Sequence, residues 1–233
     1  MRFRSVLFDA GETLVHPVPS FPELFERVVR DAGHRRDPDA VAEASAAVRV
    51  RFSEASRDGE RWTLTAASSR SFWLGVYERM LVSLDLPSED GLGETLYSAF
   101  TDLDNYALFD DVPETLDALE AAGVTLGVVS NFEAWLDDLL GTLGVRHRFP
   151  ICVISGLEGI EKPDPRIYEM ALGRGATSPG DAAFVGDNPE FDVDPPAALG
   201  MFPVLIDRRG RHVDHVGTRI TDLRFLADAL EAA

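Results

Sequence analysis

Four short segments of the sequence carry chemically reactive side chains, and each comes after a run of apolar residues along the chain. The segments are FDAGETL, VVSNF, EKPDPRIY and VGDNPEFD, and their reactive residues are Asp9, Ser130, Lys162, Asp187 and Asp192. The apolar runs are short and rich in β-branched or aromatic residues, as is typical of buried strands. An open parallel sheet forms its ligand crevice at the carboxyl ends of its strands. We therefore expect these side chains to meet in one crevice.

Together these groups suit metal-assisted phosphoryl transfer. Two or three carboxylates in one crevice repel each other unless a cation neutralises them, and oxygen ligands suit Mg²⁺. The cation and Lys162 would attract a phosphate, while Ser130 and backbone N–H groups would bind its remaining oxygens. Asp9 would then attack phosphorus and form an aspartyl phosphate, which water would hydrolyse.

Each segment by itself also has a purely structural explanation. A carboxylate such as Asp9 can be a turn residue or a helix cap, SN is a common turn pair, and KPDP fits a loop before a helix. Their order, spacing and shared position at predicted strand ends favour a common site. The composition agrees, because the chain contains 21 arginines and a single lysine, Lys162. An ammonium and a guanidinium are not interchangeable at a tight site.

The second half of the sequence alternates between strand and helix patterns. DDVPETLDALEAAG has Asp111 as a candidate N-cap, a proline in the first turn and Gly123 as a stop, and DPRIYEMALGRG repeats this pattern from Asp164 to Gly175. This alternation predicts an α/β fold with a doubly wound parallel sheet. The predicted strands lie near Ser5–Phe8, Thr125–Val129, Cys152–Ile154, Ala183–Val185 and Pro203–Ile206.

The long segment between the first and second predicted strands is almost entirely helical in pattern. Its apolar residues recur three and four positions apart. Phe72, Trp73 and Tyr77 could line a pocket or form the core of a helical bundle. We predict a core of residues 1–15 and 108–233 and a helical insert of residues 16–107. The predicted helices of the insert lie near Phe21–Ala32, Ala40–Ser56, Ser69–Leu84 and Gly93–Leu103.

The composition excludes several classes of function. A net charge of −18 opposes binding to nucleic acid or anionic lipid. The sequence has no apolar run of membrane-spanning length, and its N-terminus lacks the apolar stretch of a secretory signal. One cysteine, Cys152, fits a reducing cytoplasm. We therefore expect a cytoplasmic protein with a small-molecule substrate and neither a nucleic-acid nor a membrane partner.

In this order, the four segments resemble the four motifs of the haloacid dehalogenase-like (HAD) hydrolase superfamily. Residues 16–107 resemble the α-helical C1 cap of that superfamily. SNF and KPDPRI resemble a branch related to rhythmically expressed gene products, in which the acid two residues after the nucleophile can be absent. The resemblance covers essentially the whole chain. It implies a Rossmannoid core and a Mg²⁺-dependent phosphatase that acts on a small phosphorylated metabolite.

The resemblance also implies a role for each matched residue. Asp9 would be the nucleophile, Lys162 would order the phosphate and the nucleophile, and Asp192 would hold the metal shell. The implied substrate-binding residues are Thr13, Ser130, Asn131 and Lys162, and the implied metal ligands are Asp9, the backbone carbonyl of Gly11, Asp187 and Asp192.

Gly11 departs from the pattern of the family's phosphatases. They have an aspartate at this position, which protonates the leaving group and then activates water, while its backbone carbonyl binds the metal. The carbonyl remains with glycine, but the acid–base group is lost, and such catalysis typically contributes about 10²–10⁴-fold. Glu12, a cap residue or a water could replace it.

Two functions other than a phosphatase remain open from the sequence. A 2-haloacid dehalogenase also lacks this acid and needs no metal, but Asp187 and Asp192 would then repel each other without a cation. A weakly active or non-catalytic binding protein would explain Gly11 but not the intact Lys162 and acid pair. Two further features are expected to be structural: His212 and His215 have no third ligand nearby and fit a loop, and Cys152 fits strand packing.

Overall fold

The computed structural model describes residues 2–88 and 91–233. The chain forms two compact units, one of Met1–Val15 with Leu108–Ala233 and one of His16–Ala107. The strands of the described residues are β1 (Ser5–Phe8), β2 (Val15–Pro17), β3 (Tyr106–Leu108), β4 (Thr125–Ser130), β5 (Ile151–Ile154), β6 (Ala182–Gly186), β7 (Phe202–Ile206) and β8 (Arg219–Ile220).

The first unit is built on a parallel six-stranded sheet in the order β5-β4-β1-β6-β7-β8. The fold is therefore the predicted doubly wound α/β fold of Rossmannoid type. The strand order reverses at β1, which pairs with β4 on one side and β6 on the other. A reversal of this kind opens a crevice at the carboxyl ends of the strands. The residues that follow β1, β4 and β6 consequently face one crevice.

The central strand β1 is buried along its whole length, which explains its three consecutive apolar residues Val6, Leu7 and Phe8, while the buried Ser5 hydroxyl is satisfied by Thr177 Oγ1 at 2.7 Å. Leu7 lies in register with Gly127 of β4 and Phe184 of β6. A Cβ atom at Gly127 would lie only 2.5 Å from Leu7 Cδ2 and 2.8 Å from Ile151 Cβ. Glycine is required here because the neighbouring strands bring large side chains against the backbone.

The helices begin and end with the local signals that the sequence contains. Asp164 caps its helix by accepting a hydrogen bond from the Arg166 N–H at 3.0 Å. Asp111 also precedes a helix, but its carboxylate makes no capping bond and binds Arg208 instead. The helices are α1 (Phe21–Asp31), α2 (Pro38–Ala44), α3 (Ala46–Asp58), α4 (Ala66–Ser83), α5 (Leu92–Phe100), α6 (Val112–Ala121), α7 (Leu136–Thr142), α8 (Ser155–Glu158), α9 (Pro165–Arg174), α10 (Asp194–Ala198) and α11 (Leu226–Glu231), with a π-helical turn at Pro189–Val193.

The second unit is mainly helical and contains α1 to α5. The single helix predicted over Ala40–Ser56 is wrong, because the chain breaks into α2 and α3 at Ser45. The Ser45 hydroxyl donates to the Ala42 carbonyl at 2.6 Å, which competes with continued helical bonding. Phe72 and Tyr77 are buried in the core of this unit, whereas Trp73 is partly exposed.

Membrane insertion through a helix has no support in the described residues. Within residues 2–88 and 91–233, every helix is too short or too polar to span a bilayer.

The contact between β1 and β4 generates a prediction about packing. Gly127→Ala should lower the free energy of unfolding by about 1–3 kcal/mol, because the added methyl group overpacks the sheet against Leu7 and Ile151. Urea denaturation of the wild type and the variant measures this difference.

Gly141 of α7 is the matched control, since a Cβ there would meet no heavy atom within 4 Å. Gly141→Ala should raise the free energy of unfolding by about 0.5–1 kcal/mol, because alanine favours the helix. Equal free energies for the two variants would show that the close approach at Gly127 does not constrain the sheet.

Candidate active site

Asp9 directly follows β1 and begins a tight turn of residues 9–15, called the nucleophile loop below. The backbone N–H of Asp9 donates to the Val185 carbonyl at 2.9 Å, which extends the pairing with β6 by one residue. Its Oδ1 accepts hydrogen bonds from Ser130 Oγ at 2.9 Å and Lys162 Nζ at 2.7 Å. Among the described hydrogen bonds, none goes to Oδ2 of Asp9. One carboxylate oxygen is thus held by donors and the other is left for a ligand.

Lys162 lies between two carboxylates in the interior of the first unit. Its side chain is 2% exposed, and Nζ is 2.7 Å from Asp9 Oδ1 and 2.6 Å from Asp192 Oδ1. Burial alone would lower the pKa of Lys162, but the charges of Asp192 and Asp9 outweigh it and raise the pKa above its ordinary value. The group is therefore a permanent ammonium at neutral pH.

Asn131 holds the backbone of Lys162 through both ends of its side-chain amide. Nδ2 of Asn131 donates to the Lys162 carbonyl at 2.8 Å, and Oδ1 accepts from the Lys162 N–H at 2.6 Å. The resemblance implies a substrate-binding residue here, and the structure adds a contact that positions the lysine. No sequence signal indicates this partner, because the contact joins two loops 31 residues apart.

The acid pair follows β6 and completes a cluster of three carboxylates. One carboxylate oxygen each of Asp9, Asp187 and Asp192 lies within 4.8 Å of the others. Asp192 is 1% exposed and also accepts a hydrogen bond from the Asn188 N–H at 3.0 Å. A Cβ atom on Gly186 would overlap the carboxyl group of Asp192, so the last residue of β6 must be glycine for this carboxylate to approach.

The donor set of this cluster fits a hard divalent cation. Burial, together with the charges of Asp192 and Asp9, raises the pKa of Asp187 well above its ordinary value. The cluster contains three carboxylates and the single ammonium of Lys162, so its acids outnumber its cation. Oxygen-only ligands with excess negative charge match the preference of Mg²⁺. In the part of the chain that the structure describes, no other group of acids, histidines and cysteines has metal-binding geometry.

Two other residues singled out in the sequence are poorly suited to chemistry. Burial raises the pKa of Cys152 to about 11, so its thiol is not a nucleophile at neutral pH. His212 and His215 lie in the loop between β7 and β8 and are not members of the metal-binding group of carboxylates identified above.

Thr13 lies inside the protein. Its side chain is 0% exposed, and its hydroxyl has no hydrogen-bond partner among the described residues. Its backbone carbonyl accepts a hydrogen bond from Arg208 Nη2 at 2.8 Å. Thr13 is thus packed within the nucleophile loop, and the hydroxyl does not face solvent.

Gly11 leaves open space where the missing acid would stand. A Cβ atom at this position would meet no heavy atom within 4 Å, and the backbone is not in the left-handed region. Neither sterics nor backbone conformation requires glycine here. The absence of an acid is therefore a chemical difference rather than a demand of the fold.

The neighbouring Glu12 forms an ion pair with a residue that sequence reasoning did not identify. Its carboxylate lies 2.6 Å from Arg209 Nη2. The Arg209 guanidinium donates to Glu12 Oε2, so this carboxylate is already engaged in a contact with the protein. Glu12 is consequently a weak substitute for the acid that is missing at Gly11.

The strand order of the parallel sheet reverses at β1, and the Asp9 carboxylate and the buried Lys162 ammonium lie at this reversal. This arrangement suits a hydrolase with a Rossmannoid fold. The family model of the haloacid dehalogenase-like hydrolases matches residues 3–200, and the chain belongs to that family.

Curated relatives support the same classification. The chain is 29% identical to haloacid dehalogenase-like hydrolase domain-containing protein 3 of Homo sapiens over 88% of this chain and 82% of that protein. It is 28% identical to a phosphoserine phosphatase of Thermus thermophilus over 97% of this chain and 99% of that protein.

Solved structures share the fold. The putative HAD-hydrolase YfnB from Bacillus subtilis, solved bound to magnesium, matches with a TM-score of 0.78 and 17% identity, covering 99% of each chain. Similar structures include both a HAD phosphatase and 2-haloacid dehalogenases, so the fold alone does not select between these two activities.

The contact between Asn131 and Lys162 generates a prediction about activity. Asn131→Asp should lower hydrolytic turnover by about 10- to 100-fold, because the loss of the donor to the Lys162 carbonyl costs about 1–3 kcal/mol at the site. Steady-state kinetics on a reactive phosphate ester measures the effect.

Asn105→Asp is the matched control, because its amide also donates to a backbone carbonyl, that of Ala99 at 2.9 Å, within the second unit. This control should retain wild-type turnover. Full activity of Asn131→Asp would contradict the positioning of Lys162 by Asn131.

Proposed function

We propose that the protein is a Mg²⁺-dependent phosphohydrolase that acts on a small phosphorylated metabolite through a phosphorylated Asp9. The observation that carries this proposal is the cluster in which the Lys162 ammonium binds both Asp9 and Asp192 while Asp187 lies beside them. One lysine and three carboxylates leave an excess negative charge that a divalent cation can balance. Membership of the hydrolase family and the similarity to a phosphoserine phosphatase support it.

The residues that would hold Mg²⁺ are Asp9, the backbone carbonyl of Gly11 and Asp187, with Asp192 fixing their surroundings. When bound, the cation would neutralise these carboxylates and polarise the phosphoryl group of the substrate. All of these ligands are oxygen atoms, which is the donor chemistry that Mg²⁺ prefers.

The protein's own groups account for the transfer to the enzyme. Asp9 Oδ2, which receives no described hydrogen bond, attacks phosphorus while the bond from phosphorus to the substrate oxygen breaks. The Ser130 hydroxyl and the Lys162 ammonium already bind Asp9 Oδ1. They orient the nucleophile and offer donors to the phosphoryl oxygens as negative charge develops on them.

The second half of the reaction returns Asp9 to its carboxylate form. A water attacks phosphorus, the bond from phosphorus to Asp9 breaks, and inorganic phosphate leaves. The ammonium of Lys162 stays protonated throughout, so it stabilises charge but does not act as an acid or base. The chemistry at Lys162 is therefore electrostatic.

Acid–base assistance must come from outside the nucleophile loop. Gly11 has no side chain, and the Glu12 carboxylate is paired with Arg209. Water is the simplest proton donor for the leaving oxygen, and it assists a basic alkoxide poorly. Substrates with a good leaving group, such as acyl or aryl phosphates, should therefore react faster than alkyl phosphates.

A 2-haloacid dehalogenase is the second candidate, and Gly11 is the observation that favours it. In that reaction Asp9 would displace a halide from carbon without a metal. The grouping of Asp9, Asp187 and Asp192 counts against it, because three carboxylates beside one ammonium suit a cation that this reaction does not need. If neither phosphate esters nor 2-haloacids react, the protein is a non-catalytic binding protein.

The test is a panel of phosphorylated metabolites with and without Mg²⁺, run beside Asp9→Asn. We expect phosphate release that EDTA abolishes and Mg²⁺ restores, and no turnover by the variant because its amide is not a nucleophile. Halide release from 2-chloropropionate in the presence of EDTA would identify the dehalogenase instead. Full turnover by Asp9→Asn would refute the assignment of the nucleophile.

The open space at Gly11 generates a second prediction. Gly11→Asp should increase kcat on alkyl phosphates by about 10²-fold or more and change kcat on aryl phosphates much less, because only the basic leaving group needs protonation. Kinetics on a matched pair of alkyl and aryl esters measures the difference.

Gly180→Asp is the matched control, since it adds the same charge before the amino end of β6, at the opposite edge of the sheet, and a Cβ there also meets no atom within 4 Å. This control should leave both rates unchanged. An equal gain on alkyl and aryl esters with Gly11→Asp would contradict this explanation of Gly11.

A further inference from the structure

Two consecutive arginines after β7 contact two consecutive residues of the nucleophile loop. Nη2 of Arg208 donates to the Thr13 carbonyl at 2.8 Å, and Nη2 of Arg209 donates to Glu12 Oε2 at 2.6 Å. The contacting residues are 195 and 197 positions apart in the sequence. They tie the nucleophile loop to the segment that follows β7.

Arg208 is itself held rigidly from several directions. Its Nη1 and Nη2 donate to the two oxygens of Asp111 at 2.7 and 2.9 Å, and its guanidinium carbon lies 3.8 Å from the ring centroid of Phe109. Asp111, which is 2% exposed, also accepts a hydrogen bond from the Leu223 N–H at 2.7 Å. The fork of the guanidinium binds a carboxylate and a carbonyl together, which a lysine ammonium does not reproduce.

The loop that these arginines contact has an unfavourable conformation at Glu12. Its φ is 57°, a left-handed value that residues with a Cβ seldom adopt. Such a conformation persists where surrounding contacts hold it, and it is concentrated at functional sites. Within the loop, the Glu12 N–H bonds the Val15 carbonyl at 2.8 Å, and Arg209 holds the side chain from outside.

We propose that Arg208 and Arg209 form an arginine clamp that positions the nucleophile loop, so that Asp9 stays within reach of Lys162 and Ser130. Both arginines act through Glu12 and Thr13 and are therefore positioning residues. The kinetic part of this proposal rests on the proposed function, because kcat can be measured only if the protein hydrolyses a phosphate ester.

A positioning role of the clamp can be distinguished from a purely stabilising role by comparing turnover with the free energy of unfolding. The ion pair between Glu12 and Arg209 is partly exposed on both sides, at 30% and 36%, and such pairs contribute little to unfolding. Glycine suits the left-handed backbone of residue 12, so Glu12→Gly removes the contact with Arg209 without adding strain. A loss of turnover without a loss of stability would consequently reveal positioning.

The test uses Arg208→Lys and Glu12→Gly, with Arg219→Lys as the matched control. Arg219 pairs with Asp207 at 2.9 Å in the same part of the chain, and its described contacts include none with residues 9–15. Hydrogen–deuterium exchange of the peptide that contains residues 9–15 is measured on each intact protein, together with kcat, KM and the thermal midpoint.

We expect both clamp variants to exchange the amides of the nucleophile loop faster than the wild type. Their kcat should fall by about 10- to 100-fold, because a small displacement of a reacting group costs this much, with KM changing much less. Glu12→Gly should keep the wild-type thermal midpoint, and Arg219→Lys should match the wild type in every measurement.

Unchanged exchange and unchanged kcat in both variants would overturn the clamp, and so would an equal response of Arg219→Lys. If Arg208→Lys does not fold, Glu12→Gly decides alone, since its position is partly exposed. If the wild type hydrolyses no phosphate ester, the proposed function fails, and loop exchange alone then decides whether the clamp exists.

Discussion

The ammonium of Lys162 lies between the carboxylates of Asp9 and Asp192 in the interior of the first unit, and the rest of the site depends on this contact. Without the ammonium, buried acids at the ends of β1 and β6 would repel each other across a crevice with little solvent to screen them. One ammonium neutralises only part of this charge, and burial together with the charges of Asp192 and Asp9 raises the pKa of Asp187. The cluster is thus assembled in a form that suits a divalent cation.

Much of the fold serves to bring these four groups to one place. The strand order reverses at β1, so that the loops after β1 and β6 converge, and the segment after β5 and α8 brings Lys162 to them. Two glycines permit the close approach: Gly127 between β1 and β5, and Gly186 against the carboxyl group of Asp192. Asn131 then fixes the backbone of Lys162. The positions of the reactive side chains therefore depend on close backbone packing and on backbone hydrogen bonds.

The sequence predicts the sheet better than the contacts around the site. The strand Ser5–Phe8 was predicted with its observed bounds because a strand buried on both faces is a nearly continuous apolar run. The break at Ser45 was missed, since a serine in a helical pattern signals only a weak competitor for backbone bonds. The partners of Glu12 and Thr13 were also missed, because Arg208 and Arg209 lie almost two hundred residues away and no local pattern encodes such a contact. Reactive residues follow strands and can be located by that rule, whereas the residues that position them come from distant loops.

The central claim is that Asp9 becomes phosphorylated in a Mg²⁺-dependent reaction. The most direct measurement mixes the wild-type protein with acetyl phosphate, whose good leaving group needs no acid, and quenches the mixture rapidly in acid. Mass spectrometry of the resulting peptides should find phosphate on Asp9 when Mg²⁺ is present and none when EDTA is present. Release of inorganic phosphate by the wild type without any phosphorylated Asp9, or phosphate attached to a different residue, would contradict the account.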